Sequence, residues 1–485
     1  MARWKPRAIG PWLAVAAMLA FALAFPWREK VHVLGDTQLR MRALFAERLP
    51  SAGASWSEWL AHAANTLHAA PLDLLLNVIP AVALHGLGMR ISTAVAWVGA
   101  VQALLFMALA WKLARHLAPG PSLLGPLALA IVLTGVLEAF AGYADSASLV
   151  ALVALGWWSE ILVPLDRRAQ AWRVTAWFVA LVLTHRVGAV MLLPQVLRAA
   201  GPALPGDRAE ARRALLAITA AVAAVAIAGA LMTVAGRQLL RDATEILRSA
   251  AGFTWKPLDI ASALIVVAPL ALVAPALAGR AGSAFWRDPR ALWIASGAAP
   301  LLVALIWLFP FGESGLGMHR DWDTNVLLGI TLMVGAAVLL CHAGLPRLGA
   351  ALQAALPLLA LTALSWVAVN ADAGLATRRA IALATEATAL TAPQRAHLHL
   401  YFGQRAMDER QPEVGAQHYE RAFREGGNPR RALLAAEAWL VAGRADRARA
   451  AIAEARAAGA LSPELEASAR RLESSLAPAD TASVP

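Results

Sequence analysis

The sequence predicts an all-α protein: a polytopic bundle of about nine to eleven membrane-spanning helices, followed by a small soluble array of helical hairpins. Three observations predict it. Of 485 residues, 59% are hydrophobic and only 15% charged, with a mean hydropathy of +0.57, more apolar surface than one water-soluble core can hide. Apolar runs of about twenty residues, each able to cross a hydrocarbon core of about 30 Å as a helix, recur from the N-terminus to Val369. After Asn370 the composition turns to Ala, Arg and Glu with few β-branched residues, which suits helices exposed to water.

Taken in order, the first run is Ile9 to Phe25. It follows Arg3, Lys5 and Arg7 and precedes Pro26-Trp27-Arg28 without a small-x-small cleavage site, so it reads as a retained anchor. Residues 27–90 form a long first outer loop. Within it, Trp56, Trp59, Leu60, Ala63 and Leu67 have helical spacing and predict helices lying on the membrane surface; Leu74 to Leu87 is either part of that loop or a short extra span. Further spans are expected near 91–113, 123–141, 144–164, 211–234, 260–279, 291–310, 326–344 and 349–371.

Residues 174–198 make an apolar stretch of about one membrane thickness, broken in its middle by Thr184-His185-Arg186. A charged pair at mid-membrane is costly. One crossing would set the basic loop 198–213 opposite the basic loop 167–173, against the positive-inside tendency, so a re-entrant hairpin is favoured. With the N-terminus inside, Lys112/Arg115, Arg167/Arg168/Arg173, the loop 198–213 and Arg280/Arg287/Arg290 then share the cytoplasmic side. Asp36, Asp145, His185/Arg186 and residues 319–323 share the other. Arg28, Lys30, Arg40, Arg42 and Arg48 in the first outer loop run against the rule.

The net charge of +11 is spread over short loops and the C-terminal region, without the clustered stripe that nucleic-acid binding needs. Cys341 is the sole cysteine, which excludes an intrachain disulfide and a thiol metal cluster.

Beyond a linker at 372–393, Gly403, Ala406, Gly415, Tyr419 and Ala422 recur as Ala436, Trp439, Ala448, Ile452 and Ala455. The spacing is close to a period of about 34 residues, small residues recur where paired helices pack closely, and Asn428-Pro429 makes the turn between copies. Residues 394–475 resemble a tetratricopeptide module, used for protein or peptide contact or else a solubilising tail. Residues 476–485, small and polar with two prolines, are expected to be disordered.

Four places carry candidate chemistry. Asp36, in Leu34-Gly35-Asp36-Thr37-Gln38-Leu39-Arg40, sits a few residues beyond the first span, either as a general base at the membrane surface or as a helix cap. Met318-His319-Arg320-Asp321-Trp322-Asp323 sets an acid/base group, a guanidinium whose planar fork suits phosphate, and two carboxylates at the mouth of a span; alternatively, Asp321 or Asp323 caps the helix from Thr324. Asp145 follows the tight turn Gly142-Tyr143-Ala144, as cap or site residue. His185 and Arg186 either belong to a site or form a buried ion pair with Glu138 or Glu160. Glycine-rich phosphate loops, metal-binding His pairs and serine elbows are not evident; no cofactor is expected, and a divalent metal stays open.

An acidic first outer loop with surface helices, many short-looped spans and a soluble C-terminal domain together resemble the GT-C class of membrane glycosyltransferases. The segments Leu34-Gly35-Asp36, Phe140-Ala141-Gly142-Tyr143, His185-Arg186-Val187-Gly188 and Asp321-Trp322-Asp323 look like blocks of bacterial multi-span proteins that carry tetratricopeptide tails. The likeness covers most of residues 1–371. It implies transfer of a sugar from a polyprenyl-phosphate carrier on the periplasmic side of the inner membrane, with the repeats on that side as well. Asp36 would deprotonate the acceptor, Arg320 and Arg186 would hold the carrier phosphate, and His319, Asp321 and Asp323 would position acceptor or sugar; Arg40, Asp145 and His185 are further candidates for substrate binding. Thr37 stands where the commonest pattern has a second acid, which leaves metal use and acceptor type open. Two other functions fit the same chain: a non-enzymatic scaffold recruiting partners through its repeats, and a transporter with His185/Arg186 on the substrate path.

Overall fold

The computed structural model of the chain describes residues 55–67, 70–232, 257–279, 282–308, 325–342, 348–385 and 391–476. The anchor at 9–25, the site residues Asp36, Arg40, His319, Arg320, Asp321 and Asp323, and the tail from 477 lie outside the described residues. Among those described, every regular element is helical, so each segment satisfies its backbone internally, as a chain in lipid must. Contacts divide the chain into two units, Met1–Gly312 with Met318–Ala376, and Thr377–Pro485 with Glu313–Gly317.

The first unit opens with α1 (Trp56–Thr66), started by a capping box in which Ser55 and Glu58 satisfy each other's backbone N–H. Then come α2 (Pro71–Gly86), carrying a π-turn at Leu74–Val78, and α3 (Ile91–Leu117). Next are α4 (Pro121–Val132), a 3-10 turn at Gly135–Phe140 and α5 (Ala147–Ile161). They are followed by α6 (Arg168–Thr184), a 3-10 turn at Arg186–Met191, α7 (Leu192–Ala200) and α8 (Ala209–Met232). The unit closes with α9 (Pro257–Val267), α10 (Pro269–Ala278), α11 (Pro289–Val303), α12 (Val326–His342) and α13 (Leu348–Ala371).

By length and apolarity α3, α8, α13 and the run Pro289–Ile306 qualify as membrane spans, and α9 with α10 makes a fifth bent by 85°. These helices identify a membrane-embedded, multi-pass protein. The described spans are fewer than the sequence leads one to expect, because several apolar runs stop being α-helical early. The run 123–141 is helical only to Val132 and continues as a 3-10 turn, and the run 144–164 yields the 15 residues of α5. The run Leu74 to Leu87 belongs to α2, an apolar helix of the shorter class. All of α5 is buried; it never faces lipid and so needs no full membrane length. Helix α1 packs on its neighbours: Trp59, Ala63 and Leu67 bury against α2 and the start of α3, while Trp56 and Leu60 stay exposed.

One end of this unit is tied by charge. Lys112 Nζ reaches Glu160 Oε1 at 2.5 Å and Arg173 Nε reaches Glu160 Oε2 at 3.3 Å, joining the ends of α3 and α5 to the start of α6. Arg198 is fully buried. Its guanidinium donates to Asp207 at 2.6 and 2.7 Å and to the carbonyls of Ile161 and Val163 at 3.0 Å, and lies 4.6 Å from the ring centre of Trp293. Asp207 also accepts from the Leu165 and Leu204 amides. Burial would raise its carboxyl, but Arg198 and those amides outweigh that and hold it below the ordinary value. Arg290 donates to the Leu162 carbonyl at 3.1 Å, and His342 lies 2.6 Å from Asp288. The basic loops at 167–173 and 198–213 and the basic side chains at 112 and 290 therefore meet at one end.

This geometry explains residues 168–200. Arg198 and Arg208 return the chain to Leu165, beside the start of α6, so the segment doubles back on itself. Helix α6 starts at Arg168, earlier than the apolar stretch suggests, and its 17 residues carry the chain about 25 Å before it turns. Gly188 makes the turn possible, since a Cβ there would meet the Leu181 carbonyl carbon and oxygen at 2.7 Å. His185 and Arg186 thus sit about 25 Å along α6 from the basic end. The proposed pairing with Glu160 is also corrected: Glu160 holds Lys112 and Arg173, and Arg186 is exposed.

The bend between α9 and α10 has a local cause. Pro269 opens α10 and offers no N–H, so carbonyls before it lose helical partners. The Thr134 hydroxyl donates to the Val267 carbonyl at 2.8 Å and accepts from the Val136 amide. Gly135 and Gly329 pack on the same bend, where a Cβ would come within 2.7 Å of the Val266 oxygen and 2.6 Å of the Val267 oxygen. Gly329→Leu should therefore destabilise the unit by about 1–3 kcal/mol through overpacking, read as a lower unfolding temperature of the detergent-solubilised protein; an unchanged temperature would show that the bend gives way.

In the C-terminal unit α14 (Ala373–Thr385), which straddles the boundary, leads to α15 (Ala392–Asp408), α16 (Pro412–Gly426), α17 (Pro429–Val441), α18 (Ala445–Ala457) and α19 (Pro463–Leu476). Consecutive members of α15 to α18 pack pairwise, and all ten recurring residues from Gly403 to Ala455 are buried. Gly403 is small because Tyr419 lies on it, with ring carbons 2.5 Å from where a Cβ would sit. Gly427 takes the left-handed cap of α16 at φ 65°, and the Asn428 side chain caps α17 through the Arg430 amide.

His399 and His418 stack within this unit, 3.1 Å apart at Nδ1. Burial first, then nearby charge, pushes both imidazoles down: Arg421 for His399, and His399 with Arg421 for His418, which falls to about 4. The unfolded chain then binds more protons between about pH 4 and 6.5, so stability falls as pH drops through that window. Amide-exchange protection of α15 and α16 should weaken from pH 7 to 5 after correction for intrinsic rates, and His418→Gln should flatten the dependence.

Candidate functional site

Away from the basic end, polar side chains converge on the middle of α3. Gln102 lies some ten residues from Lys112 along that helix, about 15 Å, which is half of a hydrocarbon core of about 30 Å. Its amide donates to Asn77 Oδ1 at 2.6 Å and to the Leu76 carbonyl at 3.3 Å. The Asn77 amide donates to Asp73 Oδ1 at 2.6 Å and to the Asp145 carbonyl at 3.1 Å. Asp145 Oδ1 accepts from the Ser146 amide and from the Ser146 hydroxyl. Asp73 is 0% exposed, Glu138 1% and Asp145 4%.

Broken helices build this arrangement. The π-turn Leu74–Val78 puts Asp73 and Asn77 on the face of α2 that meets α3. Helix α4, the 3-10 turn and α5 form a hairpin that rises from the basic end and returns to it. Its tip, residues 133–141, is buried throughout, and Gly99 of α3 is closely approached by the Phe140 carbonyl. Gly142 takes φ 88°, a conformation that glycine alone adopts without strain, and so turns the chain toward Asp145. Irregular backbone at membrane depth survives only when buried in protein or lining a cavity. Here both hold, since Asn77, Val95, Gly99, Tyr143 and Ser148 line a cavity of about 20 Å³, room for one water.

Of the residues expected from sequence, Asp145 is in this cluster, held in a local turn with Ser146 rather than capping α5. His185 and Arg186 stand at the start of the 3-10 turn beyond α6, where the His185 Nδ1 accepts from the Val187 amide at 3.2 Å. Asp36, Arg40 and the 319–323 group are outside the described residues. The structure adds Asp73, Asn77 and Gln102, which the sequence reading passed over. Their signal was present: carboxylate and amide at i, i+4 in one apolar run, and a lone glutamine in another. Among the described residues no cluster of three or more His, Cys, Asp or Glu could hold a metal. No model of a known protein family matches the chain, and no curated protein matches it.

Proposed function

We propose that the protein is a GT-C-like membrane glycosyltransferase, moving a sugar from a polyprenyl-phosphate carrier to an acceptor on the periplasmic side of a bacterial inner membrane. One observation carries the reading: two buried carboxylates, Asp73 and Asp145, are joined through Asn77 where two elements break their α-helix, and an exposed Arg186 stands at the far end of α6. Ionisable groups inside a membrane bundle are expensive and are kept for function. The block Phe140 to Tyr143, part of the likeness to that class, forms the buried tip that presents Asp145. Under this reading Arg186 and Arg320 bind the carrier phosphate by charge-assisted forks, Asp36 takes the proton from the acceptor hydroxyl, and the carboxylates beneath shape the sugar pocket.

Sidedness follows from charge. With the tied basic end cytoplasmic, α13 starts at that end, where Gly349 packs on Ser122, and its 24 residues are long enough to emerge on the opposite side. In this account the tetratricopeptide-like unit is periplasmic and contacts a protein or peptide. The depth of the cluster favours a second reading, a transporter whose broken helices make a midplane binding site. An assay of purified protein with radiolabelled lipid-linked sugars separates the two. Transfer lost in Asp145→Asn supports the first, whereas absence of transfer together with solute uptake lost in Asp73→Asn or Asp145→Asn replaces it with the second.

A further inference from the structure

We infer that the cleft between the starts of α6 and α8, at the basic end, holds the headgroup of an anionic phospholipid. Arg167, Arg168 and Arg208 line a cleft of about 230 Å³ together with Asp166 and Glu210. All three arginines are exposed. Among the described residues Arg167 and Arg208 enter no ion pair stronger than the long 3.8 Å contact of Arg167 with Asp166, while Arg168 is engaged by Glu210 at 2.6 Å. Around the cleft Asp207 is matched by Arg198, and Glu160 is shared between Lys112 and Arg173. The cleft sets three exposed guanidinium groups against two carboxylates, so its outward face is net positive.

Its neighbours identify the ligand as a lipid rather than a soluble anion. Trp172, one turn beyond Arg168 on α6, is 62% exposed, and an exposed tryptophan beside basic residues marks the headgroup level. Leu183 on α6 and Leu216 and Ile227 on α8 are exposed as well, so apolar side chains suited to acyl chains lie on the same two helices beyond the arginines. A phosphodiester at the cleft and acyl chains along those helices meet complementary chemistry at both ends. The inference needs only the membrane reading of the first unit and does not rest on the glycosyltransferase proposal.

The test is lipid retention by the purified full-length protein, by native mass spectrometry after equilibration with mixed phosphatidylglycerol and phosphatidylcholine. The wild type should retain phosphatidylglycerol in preference. Arg167→Gln with Arg208→Gln should weaken that retention about thirtyfold, at roughly fivefold per arginine, and Glu210→Gln, which frees Arg168, should strengthen it. The tightening variant keeps the test decisive if the double variant folds poorly. Equal retention of the two lipids, retention unchanged in the double variant and in Glu210→Gln, or complete displacement of phosphatidylglycerol by millimolar inorganic phosphate would overturn the proposal.

Discussion

Replacing Arg198 with alanine should destabilise the membrane unit by about 3–5 kcal/mol, the range for removing one partner of a buried ion pair. The cost arises because Asp207, with 1% of its side chain exposed, would be left charged without its partner. The Ile161 and Val163 carbonyls would lose their donor as well. Arg198→Lys should rescue only part of the loss, since one ammonium cannot reproduce a fork that serves two carboxylate oxygens and two carbonyls. The acid limb has a defined sign. Asp207 titrates below the ordinary carboxylate value, so its contribution is complete above the unfolded value near 4 and is lost as pH falls through the folded one. Thermal unfolding in detergent, followed by monodispersity on size exclusion, reads both variants. An Arg198→Ala protein as stable as the wild type would mean that the hairpin of α6 and α7 is closed by other contacts.

The second large effect concerns chemistry. Under the proposed function, Asp36→Asn should lower the rate of sugar transfer by about 10²–10⁴, the usual contribution of a general base, with carrier binding little changed because asparagine keeps the size and one acceptor oxygen. Arg186→Ala should act differently, raising the concentration of carrier needed for half-maximal rate. Transfer at the wild-type rate by Asp36→Asn would remove that residue from the mechanism, and the cluster around Asp145 would then have to supply the base or serve another function.

Membrane character and the hairpin array of the C-terminal unit were legible because both are written as periodicity. The recurrence of Gly403, Ala406 and Tyr419 as Ala436, Trp439 and Ile452 reports close helix contacts that a chain must keep to pack. Helix breaks were less legible. Nothing local in Leu133-Thr134-Gly135 distinguishes a stop from a continuing span; the stop is fixed by Thr134 satisfying a carbonyl at Val267, far along the chain. The start of α6 was misplaced for a related reason. Hydropathy starts the span at Val174, whereas α6 begins at Arg168, because arginine side chains at a helix start can reach water while their backbone continues the helix. The polar cluster combines residues from α2, α3 and the tip before α5, separated by tens of positions, and only the fold brings them together. Asp145 was singled out on its own, whereas its neighbours Asp73, Asn77 and Gln102 stood in apolar runs where hydropathy counts them as noise.

Membrane sidedness of the proposed site tests the account most directly. In a Cys341→Ser background, Thr37→Cys, Arg186→Cys, Thr324→Cys and Arg167→Cys would be labelled one at a time with a membrane-impermeant maleimide on intact spheroplasts. The account predicts that positions 37, 186 and 324 label from outside and that position 167 labels only after permeabilisation. Labelling of 167 together with 186 from one side, or of 37 and 324 from opposite sides, would contradict a single periplasmic site.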